Sequence, residues 1–239
     1  MTSKKYKIFF LILLLLSIGL RIGLVSVNRE ANDPHDEVIT YIIEHGTLPE
    51  KDDCWECFQP KLFHYTAAKM LQLPLIENAK EEIPLPLAVD LINFMAGIIT
   101  VFVIGLFITN LPVKNETLKL LAFGLISLNP KLIGVNSQVT NDSFAILFST
   151  LALYFMVLFL HKQKTGTFLL VLLFTLLGIS TKTNVWVIAI AIFMVMLVKA
   201  WTQKKDFVAP VLLGTEIPRL IYFPTISPFL RMIVLNSCN

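Results

Sequence analysis

The apolar positions of this chain come in long runs rather than in alternation, and the polar positions gather between them. A helix crossing a hydrocarbon core of about 30 Å needs roughly 20 mostly apolar residues. Ile8 to Val27 meets that length and follows Lys4, Lys5 and Lys7. It is long for a signal peptide and no small-residue cleavage site follows it, so it reads as an uncleaved first transmembrane helix. Leu87 to Thr109 is a second span, Leu118 to Val135 a third with Asn129-Pro130 near its far end, and Phe144 to Leu160 a fourth. Phe168 to Ser180 and Val185 to Val198 are shorter and are parted by Thr181-Lys182-Thr183-Asn184. They read as a tight hairpin of two spans or as a re-entrant pair. Phe207 to Ile226 is interrupted by Glu216, Arg219 and prolines and is at best a weak seventh span. Arg21 lies inside the first span, about one and a half turns from its end, where snorkelling to the interface would satisfy it.

The pattern therefore predicts an all-α, multi-pass transmembrane bundle of about six spans. Its parts are a cytoplasmic terminus and first helix (1–27), a long outer loop (28–86), the remaining spans (87–206) and a weakly apolar tail (207–239). Composition agrees: 55% of residues are hydrophobic and 15% charged, against about 45–50% and 25% in soluble domains. The mean hydropathy is +0.71. These values exclude an ordinary soluble globule, a disordered chain and a nucleic-acid binder. The net charge of +3 is small, but its distribution is uneven. Lys114, Lys162, Lys164, Lys199, Lys204 and Lys205 fall on the same side as the basic amino terminus. The loop 28–86 holds twelve acids against five bases, a net −7. Basic residues mark the cytoplasmic side, so the amino terminus is expected inside and the acidic loop lumenal or external. The sequon Asn115-Glu116-Thr117 then lies inside, and Asn141-Asp142-Ser143 lies outside but tight against the membrane, where little modification is expected.

A loop of this length is seldom mere connection. Val38, Tyr41 and Ile42 recur at helical spacing, with Asp36 and Glu37 at the start. Acids in a first turn suit the positive helix end without any chemistry. Pro60 to Leu73 places Leu62, Tyr65, Thr66 and Lys69 at helical intervals, and such amphipathic helices lie along a membrane surface. Cys54-Trp55-Glu56-Cys57 reads as a local disulfide, as free thiols, as a redox pair or, with His45 and His64, as a zinc site. No thioredoxin-like unit accompanies it, which counts against the redox reading. His35 reads as a solvated loop histidine that otherwise would tune Asp36, and Asp90 as an ordinary interfacial acid.

Taken in order, these residues resemble a family. An Arg-bearing first span is followed by Asp36-Glu37-x-x-x-Tyr41, a Gly46-x-x-Pro49 turn, and Glu56-x-x-Gln59-Pro60-x-Leu62-x-x-Tyr65. Asn129-Pro130, Asn141-Asp142 and Thr181-Lys182-Thr183 come later. Over roughly residues 8 to 200 this is similar to the amino-terminal half of GT-C membrane glycosyltransferases, in the protein O-mannosyltransferase and aminoarabinose-transferase branch. The resemblance implies transfer of a sugar from a polyprenyl-phosphate carrier to a protein, lipid or glycan acceptor on the outer side. The membrane is then that of the endoplasmic reticulum or the bacterial inner membrane. It makes Asp36 the catalytic base and Glu37 its companion. Glu56 and Gln59 fall near the lipid phosphate and sugar. Pro60-Lys61 stands where many members have Pro-Pro, and Lys61 would supply the positive charge that some members carry just before the prolines. Asp142 matches an acid at the outer start of the fourth span, and Lys182 a basic residue facing the carrier phosphate. No cofactor is required by this scheme, which leaves room for a divalent cation and assigns no metal ligand. Relatives continue for several more spans, so the chain ending at Asn239 looks truncated beside them.

The chemistry suits such residues. The acceptor must lose a proton as the glycosidic bond forms, and a partly desolvated carboxylate makes a suitable base. The leaving phosphate needs cationic or hydrogen-bonding neighbours. A single base opposite the leaving group implies inversion. The alternative is a non-enzymatic membrane protein, either a transporter component or an inactive glycosyltransferase-like partner. A transporter would carry broken helices and polar groups at mid-membrane depth.

Overall fold

The computed structural model describes residues 4–28, 34–73 and 84–213, with side chains as far as Trp201. Among the described residues there are nine α-helices and no strand. The chain divides into two compact units, Met1–Ile190 and Ala191–Asn239. Of the second, the described part is the continuation of one helix. The packing and the polar centre described below belong to the first.

Helix α1 (Lys4–Val27) buries only Tyr6, Ser17, Arg21 and Val25. The last three are spaced by four, so they form one narrow stripe. Its other faces present apolar side chains such as Ile8, Phe9, Leu15 and Ile22 outward, as a lipid-facing helix does. Two loop helices follow, α2 (His35–His45) and α3 (Leu62–Leu71), with a 3-10 turn at Trp55–Phe58 between them. Gly46 closes α2 in the left-handed conformation, φ 71°, and its N–H donates to Ile42 O. Glycine takes that φ without Cβ strain.

The remaining elements are α4 (Leu85–Asn110), α5 (Glu116–Ser127), α6 (Pro130–Val135), α7 (Asp142–Lys162), α8 (Thr165–Thr181) and α9 (Trp186–Leu213). Lys4–Val27, Leu85–Asn110, Asp142–Lys162 and Thr183–Trp201 are long and apolar enough to cross a membrane, four among the described residues. Thr165–Thr181 is apolar but shorter. The expected third span is not one helix. Asn129 Oδ1 accepts from the N–H groups of Lys131 and Leu132, and Pro130 follows at the first helical position. Together they cap a new helix and stop the old one. The run after Val198 also differs from expectation, since α9 continues through Lys204 and Lys205 to Leu213. The rest of the suggested seventh span, 214–226, lies outside the described residues.

Helices α7 and α8 form an antiparallel hairpin. Phe148 and Phe155 stack on Phe174, and Phe159 meets Phe168. Helix α4 presents Asp90, Asn93, Gly97, Val101, Ile104 and Ile108 as a buried face. Its far half packs Val101, Ile104 and Ile108 with Phe123 of α5 and Phe10 of α1. Its near half packs Val89 and Ile92 with Val38, Ile39 and Ile42 of α2, Phe63, Ala67, Ala68 and Leu71 of α3, and Val139. The described part of the long loop, 34–73, is therefore a packed cap on one end of the bundle. The buried face of α3 is Phe63, His64, Ala67, Ala68 and Leu71, while Tyr65 and Lys69 point outward.

Arg21 does not snorkel: it is fully enclosed. Its Nε donates to Asn136 Oδ1 at 3.0 Å, and its Nη1 donates to Ser17 Oγ at 2.6 Å, Ser17 O at 3.1 Å and Ser127 O at 3.0 Å. Asn136 in turn donates to Ser143 Oγ. Gly97 of α4 lies against Asn136, so close that an added Cβ would sit 2.3 Å from its Cγ. Asp90 is likewise fully buried, not interfacial in the ordinary sense.

Gly97→Ala is therefore expected to destabilise the fold by about 1–3 kcal/mol through overpacking, because Asn136 can move away only by giving up its hydrogen bonds to Arg21 and Ser143. Gly134→Ala is the control, since a Cβ added there would meet nothing within 4 Å. Thermal unfolding of the purified proteins in one detergent compares them, and equal midpoints would refute the constraint.

Candidate functional site

The antiparallel hairpin sets the site. Because α7 starts and α8 ends at the same end of the pair, Asp142 and Lys182 meet although 40 residues apart. Lys182 Nζ donates to Asp142 Oδ1 at 2.5 Å. The Lys182 side chain is 19% exposed and that of Asp142 39%. Beside them Asn141 is fully buried. Its Nδ2 donates to Thr181 O and to Gln59 Oε1, each at 3.2 Å. Gln59 Nε2 donates to Glu56 Oε2 at 3.0 Å. One continuous polar network thus joins Glu56, Gln59, Asn141 and the residues flanking the Asp142–Lys182 pair.

The Cys54–Cys57 disulfide closes the turn that carries Glu56. The bond removes both sulfurs from thiolate chemistry, so neither the zinc nor the redox-dithiol reading describes this state. His45 is occupied elsewhere, stacked on Tyr41 with Nδ1 against Tyr41 O. Lys61 Nζ donates to Cys57 O. Burial pushes the Lys61 ammonium below its ordinary range, and Asp53 and Glu56 partly offset that. Among the described residues no three His, Cys, Asp or Glu side chains gather in a way that would hold a metal ion.

Asp36 and Glu37 occupy the first turn of α2. Asp36 is half-buried and Glu37 exposed. Among the described residues no hydrogen bond links either to the Glu56–Lys182 network. The residue before them is the connection. His35 is buried, not solvated, and its Nδ1 lies 2.9 Å from His64 Nε2 on α3. Phe63, next to His64, packs edge-on to Phe144, two residues into α7 from Asp142. The start of α2 is thus held beside the start of α7 through a histidine pair and an aromatic contact.

Burial, then the neighbouring His35 and Lys61, push the His64 imidazole down to about 3, so it is neutral at pH 7. The roles of Asn141 and Thr181, and the pairing of His35 with His64, are not legible in the sequence. Asn141 belongs to the Asn141-Asp142 pattern, but an amide gives no sign of which backbone it will hold.

Fold and site together define a helical membrane protein with a polar centre at one end of its bundle. The family model for dolichyl-phosphate-mannose-protein mannosyltransferases matches residues 86–226, more than half of the chain. The chain belongs to this family of GT-C membrane glycosyltransferases. Asn141, Asp142 and Lys182 lie within the match, whereas Asp36, Glu37, Glu56, Gln59 and Lys61 precede it. No curated protein and no solved structure matched the chain.

His64 makes acid destabilising. Its proton affinity is depressed in the folded state from an ordinary value of 6.5 to about 3, so the unfolded chain binds the proton first. Above pH 6.5 its burial carries no proton-linked cost, and stability falls as the pH drops from there toward 3. His64→Gln is expected to flatten that part of the stability–pH curve, read as unfolding midpoints against pH. A slope unchanged by the substitution would exclude His64 as its source.

Proposed function

We propose that this chain is a glycosyltransferase acting on a polyprenyl-phosphate sugar, with mannose the sugar and a protein the acceptor that the family's description favours. The observation that carries this reading is the convergence of Glu56, Gln59, Asn141, Asp142 and Lys182 at the end of the bundle where the loop cap sits. A lipid-linked phosphate resides at that depth. The basic short loops support placing this end on the lumenal or extracytoplasmic side.

In the proposed reaction the anomeric carbon–oxygen bond to the phosphate breaks as the acceptor oxygen bonds to the same carbon. The acceptor proton passes to a carboxylate. Asp142 is already engaged by Lys182, so its part is to hold that lysine in place. Asp36 is half-buried at the start of α2, which the His35–His64 and Phe63–Phe144 contacts hold beside the start of α7, and this favours it as base, with Glu37 beside it. The leaving phosphate collects negative charge and draws on Lys182, with Lys61 a second cation close by. Glu56 and Gln59 orient the sugar. Attack opposite the leaving group inverts the anomeric centre.

Two substitutions test these roles separately in membranes supplied with a radiolabelled polyprenyl-phosphate sugar. Lys182→Ala should weaken carrier binding about tenfold to a hundredfold, the worth of a charge-assisted contact of about 1.5–3 kcal/mol, and Lys182→Arg should be milder. Unchanged carrier affinity would return Lys182 to a purely structural partner of Asp142. Asp36→Asn should leave carrier binding intact while transfer falls by about 10²–10⁴-fold, with Glu37→Gln less affected. Near-normal transfer by Asp36→Asn would remove it as base.

A further inference from the structure

The disulfide-closed turn has two faces. In a 3-10 helix, residues three apart eclipse one another, so Trp55 and Phe58 share one edge. They are 77% and 57% exposed, while Glu56 and Cys57 between them are 8% and 2% exposed. The turn thus sends its carboxylate inward to Gln59 and its two large aromatic rings outward, with the crosslink fixing which goes where.

Its depth follows from its anchor. Gln59 accepts from Asn141, the residue that begins the spanning helix Asp142–Lys162, and Asn141 also holds the last residue of α8. A 3-10 turn rises about 2 Å per residue, so Trp55 lies within about 8 Å of that level along the turn. The hydrocarbon core is about 30 Å thick and the bilayer about 40–45 Å with its headgroups, which leaves an interfacial layer of about that thickness. Tryptophan favours this layer because its ring is apolar and its N–H is polar.

We propose that Trp55 and Phe58 seat in the lipid headgroup layer at the loop end of the bundle, and that the Cys54–Cys57 turn is a membrane anchor for the segment Glu56–Gln59. The occupant is lipid rather than water or a polypeptide because Gln59, which follows the turn, is hydrogen-bonded to Asn141 at the start of a membrane-spanning helix. This placement does not depend on the transfer chemistry proposed above.

The test uses the full chain in phosphatidylcholine vesicles with Trp186→Phe and Trp201→Phe, which leaves Trp55 as the reporter. Its emission should be blue-shifted and should lose more intensity to lipids brominated near the headgroup than to aqueous iodide. A larger loss to iodide than to bromolipid overturns the anchor and leaves the aromatic edge open to water and to an acceptor. If the background variant does not accumulate, the wild-type signal minus that of Trp55→Phe gives the same comparison. Failure here leaves the roles of Lys182 and Asp36 untouched, since those are read by carrier binding and transfer.

Discussion

Removing a guanidinium from water costs on the order of several kcal/mol unless its donors are matched, and inside a membrane helix the alternative partners are few. Arg21 offsets much of that cost through Nε and Nη1, whose acceptors come from both sides of the break in the third apolar run, while its Nη2 has no hydrogen-bond partner among the described residues. Ser127 ends α5 and Asn136 directly follows α6, and one guanidinium holds both. The break at Asn129-Pro130 is thereby fastened to α1. From there Asn136 reaches Ser143, and Asn93 donates to the carbonyls of Gln138 and Thr140. The link from 136 to 141 has no regular helix, yet its backbone is tied at successive points. It delivers Asn141 and Asp142 to the end of α7 in a defined position.

Asn141 is the junction where that framework becomes a site. An amide has two donors and one acceptor oxygen. Here its donors join the end of α8 to the loop cap through Thr181 and Gln59. Loss of either contact would free one wall of the site relative to another. The disulfide closes the turn that carries Glu56, which Gln59 holds inward from the other side.

Much of this was legible in the sequence, and the exceptions share a cause. Apolar runs located α1, α4, α7 and α8, and alternating inside and outside ends put Asp142 and Lys182 on one side. Helical spacing found α2 and α3. What hydropathy could not supply was which face of a short helix is buried. Tyr65 and Lys69 carry the spacing of α3, but Phe63, Ala67 and Leu71 carry its packing. Nor does a one-dimensional pattern tell a snorkelling arginine from a caged one, because the cage is built from Ser127 and Asn136, 106 and 115 positions away. Asn129-Pro130 was visible as a pair near the end of a span. Its meaning as a cap and first helical residue required setting local capping rules above the length of the apolar run.

The electrostatics of the proposed reaction pose a problem that the arrangement answers. The loop 28–86 is net −7, and its field opposes a lipid phosphate. Exposed charges more than about 8–10 Å away are largely screened at physiological salt, whereas partly buried ones are screened much less. The acids Asp52 and Asp53 are exposed, while Lys182 and Lys61 are enclosed to a greater degree. The field of the exposed acids therefore fades with salt and distance, whereas Glu56, buried in the same network, still acts on Lys61. Asp142 completes the balance. It pairs with Lys182, so a largely enclosed lysine at this end of the bundle carries no uncompensated charge. In the proposed reaction the carrier's phosphodiester enters as a monoanion and leaves as a dianion, so the lysine that Asp142 holds is where the gained charge would be offset.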